Sequence, residues 1–257
     1  MGLYSSQYIV AILAFYAVYI LGSKARAYHS SARFHALACA ESFSRGIFLG
    51  IALLHLLPEA YADLYPFLGK ATLYSVLFWT LVALLFMLVC EKSITYLISI
   101  AEKKSHHWLA YWILSVLCLH ALIEGFALGF SSDFMHFLIL AIAILVHKGS
   151  EGFALSTLLG RYHFSQVTQK HLLILLAFAT PLGILLSGNL SFILQAQHFN
   201  LVEGYFNSIA AGTFLYIAIC HALASCDHAG HASAYKRWLY YGLGVTLILL
   251  TRVVFKQ

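Results

Sequence analysis

Residues 120–128 read HALIEGFAL and residues 147–155 read HKGSEGFAL, so the pattern His-x-x-x-Glu-Gly-Phe-Ala-Leu occurs twice in one chain. Both copies lie inside long apolar stretches, where a carboxyl is costly and an imidazole needs a role. Four residues make about one helical turn, so His120 and Glu124 share a face, as do His147 and Glu151. A carboxyl near the centre of a bilayer costs roughly 2.5–3.5 kcal/mol on insertion scales, which marks Glu124 and Glu151 as functional candidates. The bland alternative is a pair of protonated or Lys-paired carboxyls that merely tie helices together. A histidine one turn ahead of each glutamate, at the same spacing both times, favours nitrogen and oxygen ligation of a divalent metal.

The surrounding composition sets the solvent. Of 257 residues, 61% are apolar and 10% charged, with a mean hydropathy of +0.84. A soluble domain carries about 25% charged residues. The balance belongs to an integral membrane protein with short loops, a single polytopic domain over residues 1–257. Eight apolar segments are drawn at 7–22, 43–62, 72–91, 108–130, 134–158, 171–193, 202–224 and 237–254, each about long enough for a bilayer core of about 30 Å. The expected fold is all-α with eight transmembrane helices. The short connection around Ser131 to Phe134 makes the fourth and fifth spans antiparallel neighbours.

Lys and Arg are scattered between the apolar runs, which excludes a nucleic-acid surface. Eleven of them flank the connections after spans 1, 3, 5 and 7, against Lys70, Arg252 and Lys256 on the other side. That asymmetry predicts basic loops in the cytoplasm and both termini outside it. The first apolar run lacks a basic leader and a small-residue cleavage site, so it reads as a retained helix. The five cysteines Cys39, Cys90, Cys118, Cys220 and Cys226 are odd in number and mostly apolar in setting, which argues against a disulfide framework.

His55 lies well inside span 2, as His120 and His147 lie near the middle of spans 4 and 5. Antiparallel helices share a depth near their midpoints, so these three imidazoles are expected to meet at the midplane, where transporter sites tend to lie beside broken helices. Pro58 and Pro181 are candidates for such breaks. Glu59 shares the face of His55; it either joins the path or sits among lipid headgroups. Lys148 is about 100° from His147 on a helical wheel, with Glu151 between them. Its ammonium is expected to take the place of a second cation and hold Glu151 ionised. The small residues Gly125, Gly129, Ala127, Gly152, Ala154 and Ser156 are expected to let spans 4 and 5 approach closely.

At this point the motifs resemble those of the ZIP (Zrt-/Irt-like) family of divalent metal transporters. GIFLGIALLHLLPEA at 46–60 is similar to that family's second helix, HALIEGFALG at 120–129 to its fourth and HKGSE at 147–151 to its fifth. TPLG at 180–183 resembles the sixth and AAGTFLY at 210–216 the seventh. The resemblance implies eight helices, with two inverted three-helix repeats flanking helices 4 and 5. It implies inward movement of Zn²⁺, with Fe²⁺, Mn²⁺ or Cd²⁺ as further substrates and no prosthetic group. Carried over by position, the metal site is His55, His120, Glu124, His147 and Glu151, with Lys148, Glu59 and His221 as weaker second-site or pathway residues. Ala121 stands where many members have Asn, Lys148 where many have an acid, and His221 where the seventh helix usually has Glu.

Outside these motifs, Cys226, Asp227, His228 and His231 form a cluster expected in the cytoplasm, and His106 and His107 lie where the family often has a His-rich loop. Both are either exit sites or incidental loop residues. The expected mechanism is alternating access, with uptake varying between about pH 5 and 8 because bound His must be neutral and Glu ionised. An intramembrane metal-dependent hydrolase also buries His and acid ligands, but it keeps an open position for water and needs a substrate pocket. A metal sensor without transport is a second rival. The expected partners are divalent ions and a plasma-membrane or bacterial inner-membrane bilayer, with a homodimer as the assembly entertained.

Overall fold

Backbone N–H and C=O groups have no water to bond in lipid, so apolar runs of this length must close their hydrogen bonds within the segment. In the computed structural model, residues 3–30, 34–100, 107–130, 134–190, 196–220 and 234–255 are described, and all their regular structure is helical. The helices are α1 (Leu3–Ser30), α2 (Phe34–Gly50), α3 (Leu57–Leu68), α4 (Thr72–Ile100), α5 (His107–Phe130), α6 (Phe134–Arg161), α7 (Gln166–Leu190), α8 (Ala196–Leu215) and α9 (Ala234–Phe255). Wider π-helical turns follow α2 at Ile51–Leu56 and α8 at Tyr216–Cys220. Five stretches of the described residues are long and apolar enough to cross a membrane: Ser5–Ala25, Ala38–Ser93, Ala110–Gly129, Phe137–Gly160 and Gln166–Ser187. Of these, Ala38–Ser93 turns back on itself at Gly69, whose φ of 52° suits a residue without a Cβ. The chain is thus an all-α membrane protein.

The chain forms two compact units, one from residues 1–37 and 110–195, the other from 38–109 and 196–256. In the first, α1 lies along α6 and α7. Glycines seat these helices. A Cβ on Gly152 would run into the backbone carbonyl of Val18 in α1, and one on Gly149 into the Leu21 side chain. On α5, Gly125 faces the Thr180 carbonyl of α7, while Gly183 of α7 faces the Leu122 carbonyl of α5. The expectation that Gly125, Gly129 and Gly152 hold α5 against α6 is therefore corrected. They hold α5 on α7 and α6 on α1, because those are the surfaces their bare Cα atoms meet.

In the second unit, α3 and α4 pack on α8, and α9 lies against the π-helical turn Ile51–Leu56. A reciprocal glycine crossing recurs here: Gly46 faces the Tyr241 carbonyl and Gly244 faces the Phe43 carbonyl. Ala60, Leu64 and Val76 form a buried apolar cluster closed by Leu57, Leu68, Leu201 and Tyr205. Pro58 stands in the first turn of α3, directly after the wide turn Ile51–Leu56, which is closed by Leu57 N–H donating to Ala52 O. Pro181, by contrast, sits inside an uninterrupted α7, so of these two prolines only Pro58 adjoins an irregular turn. Large apolar side chains such as Leu77, Leu81 and Leu85 on α4 and Leu243, Leu250 and Val253 on α9 point outward, as lipid contact requires.

Candidate metal centre

The fourfold spacing of His120 and Glu124 on α5, and of His147 and Glu151 on α6, turns each pair to one side of its helix. Both helices lie in the first unit, and it brings the four side chains together. One donor atom from each lies within 4.8 Å of all the others. Around a tetrahedral zinc ion, bonds of about 2.1 Å place ligand atoms about 3.4 Å apart, so an inward shift of about an ångström closes a coordination shell. All four side chains are buried, His147 to 1% and Glu151 to 0% exposure. Mixed imidazole and carboxylate donors suit zinc and other divalent transition ions.

Glu124 is the meeting point. Its Oε1 lies 2.8 Å from His120 Nε2 and 2.7 Å from His147 Nε2. Its Oε2 contacts the Lys148 ammonium. Lys148 Nζ also donates to both oxygens of Glu151, at 3.0 Å each. Glu151 Oε1 in turn is 3.6 Å from His147 Nε2. Two carboxylates and one ammonium leave the cluster one net negative charge before any imidazole is counted, which favours a cation. An imidazole that ligates a metal through Nε2 presents a lone pair there, so ion binding is coupled to the protons these atoms carry. Ser150 Oγ donates to the His147 backbone carbonyl at 2.6 Å, which ties the turn of α6 that carries His147 to itself.

The helical wheel located Lys148 beside Glu151, and the two are in contact. It did not reveal that the same ammonium reaches Glu124 across the α5–α6 gap, because a wheel describes one helix. The contact of His147 with Glu124 was invisible for the same reason. His55 and Glu59 belong to the second unit. There His55 is buried in the π-helical turn, with Nδ1 3.3 Å from Glu59 Oε1, and Glu59 is about one-third exposed. His221, Cys226, Asp227, His228, His231 and His106 lie outside the described residues. Cys39, Cys90 and Cys118 are free thiols.

Comparison with known proteins bears directly on this site. The model of a family described as ZIP zinc transporters matches residues 99–252, more than half of the chain and all four residues of the candidate site. The chain belongs to the ZIP family. Among relatives, zinc transporter ZIP1 of Homo sapiens is 36% identical over 107 residues, 42% of this chain and 33% of that protein. Zinc transporter ZIP2 of Mus musculus is 29% identical over 111 residues, 43% of this chain and 36% of the relative. Protein zntC of Dictyostelium discoideum is 32% identical over 117 residues, 45% of this chain and 29% of that protein. The matches span about a third of each relative's length. This ZIP chain is an integral membrane protein of a transporter family, not one of enzymes.

Proposed function

We propose that the chain carries Zn²⁺ across a membrane into the cytoplasm by alternating access, with Fe²⁺, Mn²⁺ and Cd²⁺ as poorer substrates. The observation that supports this most directly is the buried set His120, Glu124, His147 and Glu151, four metal donors within 4.8 Å of one another in a ZIP-family chain. His55 of the second unit is the fifth donor in this reading, and Glu59 and His221 serve the path. Lys148 stands in for a second cation, so one ion is bound at a time. The frame is eight spans, with two inverted three-helix repeats flanking α5 and α6 and both termini outside the cytoplasm. The membrane is the plasma membrane, or the inner membrane of a bacterium, and the assembly is a homodimer.

Purified protein in liposomes loaded with a zinc-sensitive dye tests the reading. Signal is expected only with zinc outside, and Glu124→Ala or His147→Ala should lower the initial rate at least tenfold. Zinc that binds the protein but never reaches the dye would leave a sensor instead of a transporter. Competition of radioactive zinc by iron, manganese and cadmium then ranks the substrates. A hydrolase gains no support from a family of transporters.

A further inference from the structure

We propose that Lys236 and Arg237 on α9 seat the headgroup of an anionic phospholipid whose acyl chain lies along the outer face of the same helix. The helix opens on Ala-Tyr-Lys-Arg-Trp, Ala234 to Trp238, with no acidic residue in its first turn. Lys236 is exposed and Arg237 partly buried, and among the described residues neither has an ion-pair or hydrogen-bond partner. Arg45 of α2 differs, being paired with Glu41 at 3.8 Å. Tyr235 and Trp238 flank the two cations and are 74% and 72% exposed. Rings with an apolar body and one polar atom settle at headgroup level in a bilayer, so they mark the depth at which lipid phosphates lie.

Past this turn the outer face becomes aliphatic. Lys236, Leu243 and Leu250 recur every seventh residue, so they fall within about 40° of one another around the helix. Leu243 and Leu250 are both exposed on that stripe. One face of α9 thus presents cations, rings and hydrocarbon in the order of a phospholipid from headgroup to tail. Two unpaired cations favour a headgroup of net negative charge over a zwitterionic one. In the orientation proposed above, this end of α9 meets the cytoplasmic leaflet, where anionic lipids concentrate. A lipid held there braces α2 as well. The Tyr241 carbonyl lies against Gly46, and Gly244 against the Phe43 carbonyl, so the start of α9 is keyed to α2. Further along, Ile248 meets Gly50, next to the π-helical turn that carries His55.

The seat does not depend on transport, so its test can fail while the transport reading stands. The full chain is placed in phosphatidylcholine vesicles carrying brominated phosphatidylglycerol or brominated phosphatidylcholine at equal mole fraction. The quenching that is lost in Trp238→Phe reports lipid at the start of α9. In wild type it should be at least twofold greater with the anionic lipid. That ratio should fall to one in Lys236→Gln/Arg237→Gln. It should hold in Lys236→Arg, and in Lys24→Gln/Lys170→Gln, which removes two exposed cations elsewhere. In neutral detergent, phosphatidylglycerol should raise the melting temperature of wild type more than phosphatidylcholine does, and Lys236→Gln/Arg237→Gln should lose that advantage. The same melts show that each variant is folded. Equal quenching by the two lipids in wild type, or equal stabilisation, overturns the inference. So does an equal loss in both double variants, which would reduce the effect to overall surface charge. A preference abolished by inorganic phosphate, but not by chloride of the same ionic strength, would assign the cations to a soluble anion and overturn it too.

Discussion

One oxygen of Glu124 faces two imidazoles and the other faces an ammonium, all of them buried. Breaking a buried ion pair by deleting one partner costs about 3–5 kcal/mol, because the other charge is left without compensation. Glu124→Ala should therefore unfold in detergent at a clearly lower temperature than wild type, and Glu124→Gln should fall between them, since the amide still accepts one hydrogen bond. Equal melting temperatures for all three would mean that Glu124 carries no structural share of the cluster. At this scale the sequence was informative in one direction only. The HxxxE spacing announces which face of α5 carries His120 and Glu124, but no spacing within α5 announces that Lys148 of α6 will meet the same carboxyl.

Helices in lipid gain nothing from burying apolar surface against each other, so close packing and small residues set which helices meet. Gly125 and Gly183 allow α5 and α7 to touch backbone to backbone, and Gly46 and Gly244 do the same for α2 and α9. Gly125→Val should push the α5 backbone off Thr180, displace His120 and Glu124, and weaken zinc binding at least tenfold. Gly242→Ala meets nothing within 4 Å. It should leave binding unchanged and, by relieving a helical glycine, stabilise α9 by about 0.5–1 kcal/mol. A Gly125→Val variant with wild-type affinity would show that the α5–α7 contact does not position the ligands. Small residues near Glu124 and Glu151 were legible as packing positions. Which helix each one meets was not, because a bare Cα carries no partner preference along its own sequence.

For the whole molecule, the excess of Lys and Arg around alternate connections predicts that the turn at Lys70 and the turn at His163 open on opposite sides of the membrane. The turn at His163 is a tight one, with its φ at 56° and its N–H bonded to Gly160 O at 3.1 Å. With the native cysteines replaced, a membrane-impermeant maleimide added to intact cells should label Lys70→Cys and spare His163→Cys until the membrane is opened. Labelling of both from outside would refute the orientation.

Composition and periodicity alone determined that this is a helical membrane protein with His120 and Glu124 sharing one helical face and His147 and Glu151 another, since apolar length and a four-residue repeat are written along one segment. Only the tertiary structure decided that Glu124 bridges both imidazoles to Lys148 and that the glycines lock α5 to α7 and α6 to α1. Those contacts join residues far apart in the chain. Their choice follows from how the helices pack, a property of the assembled unit that no single segment contains.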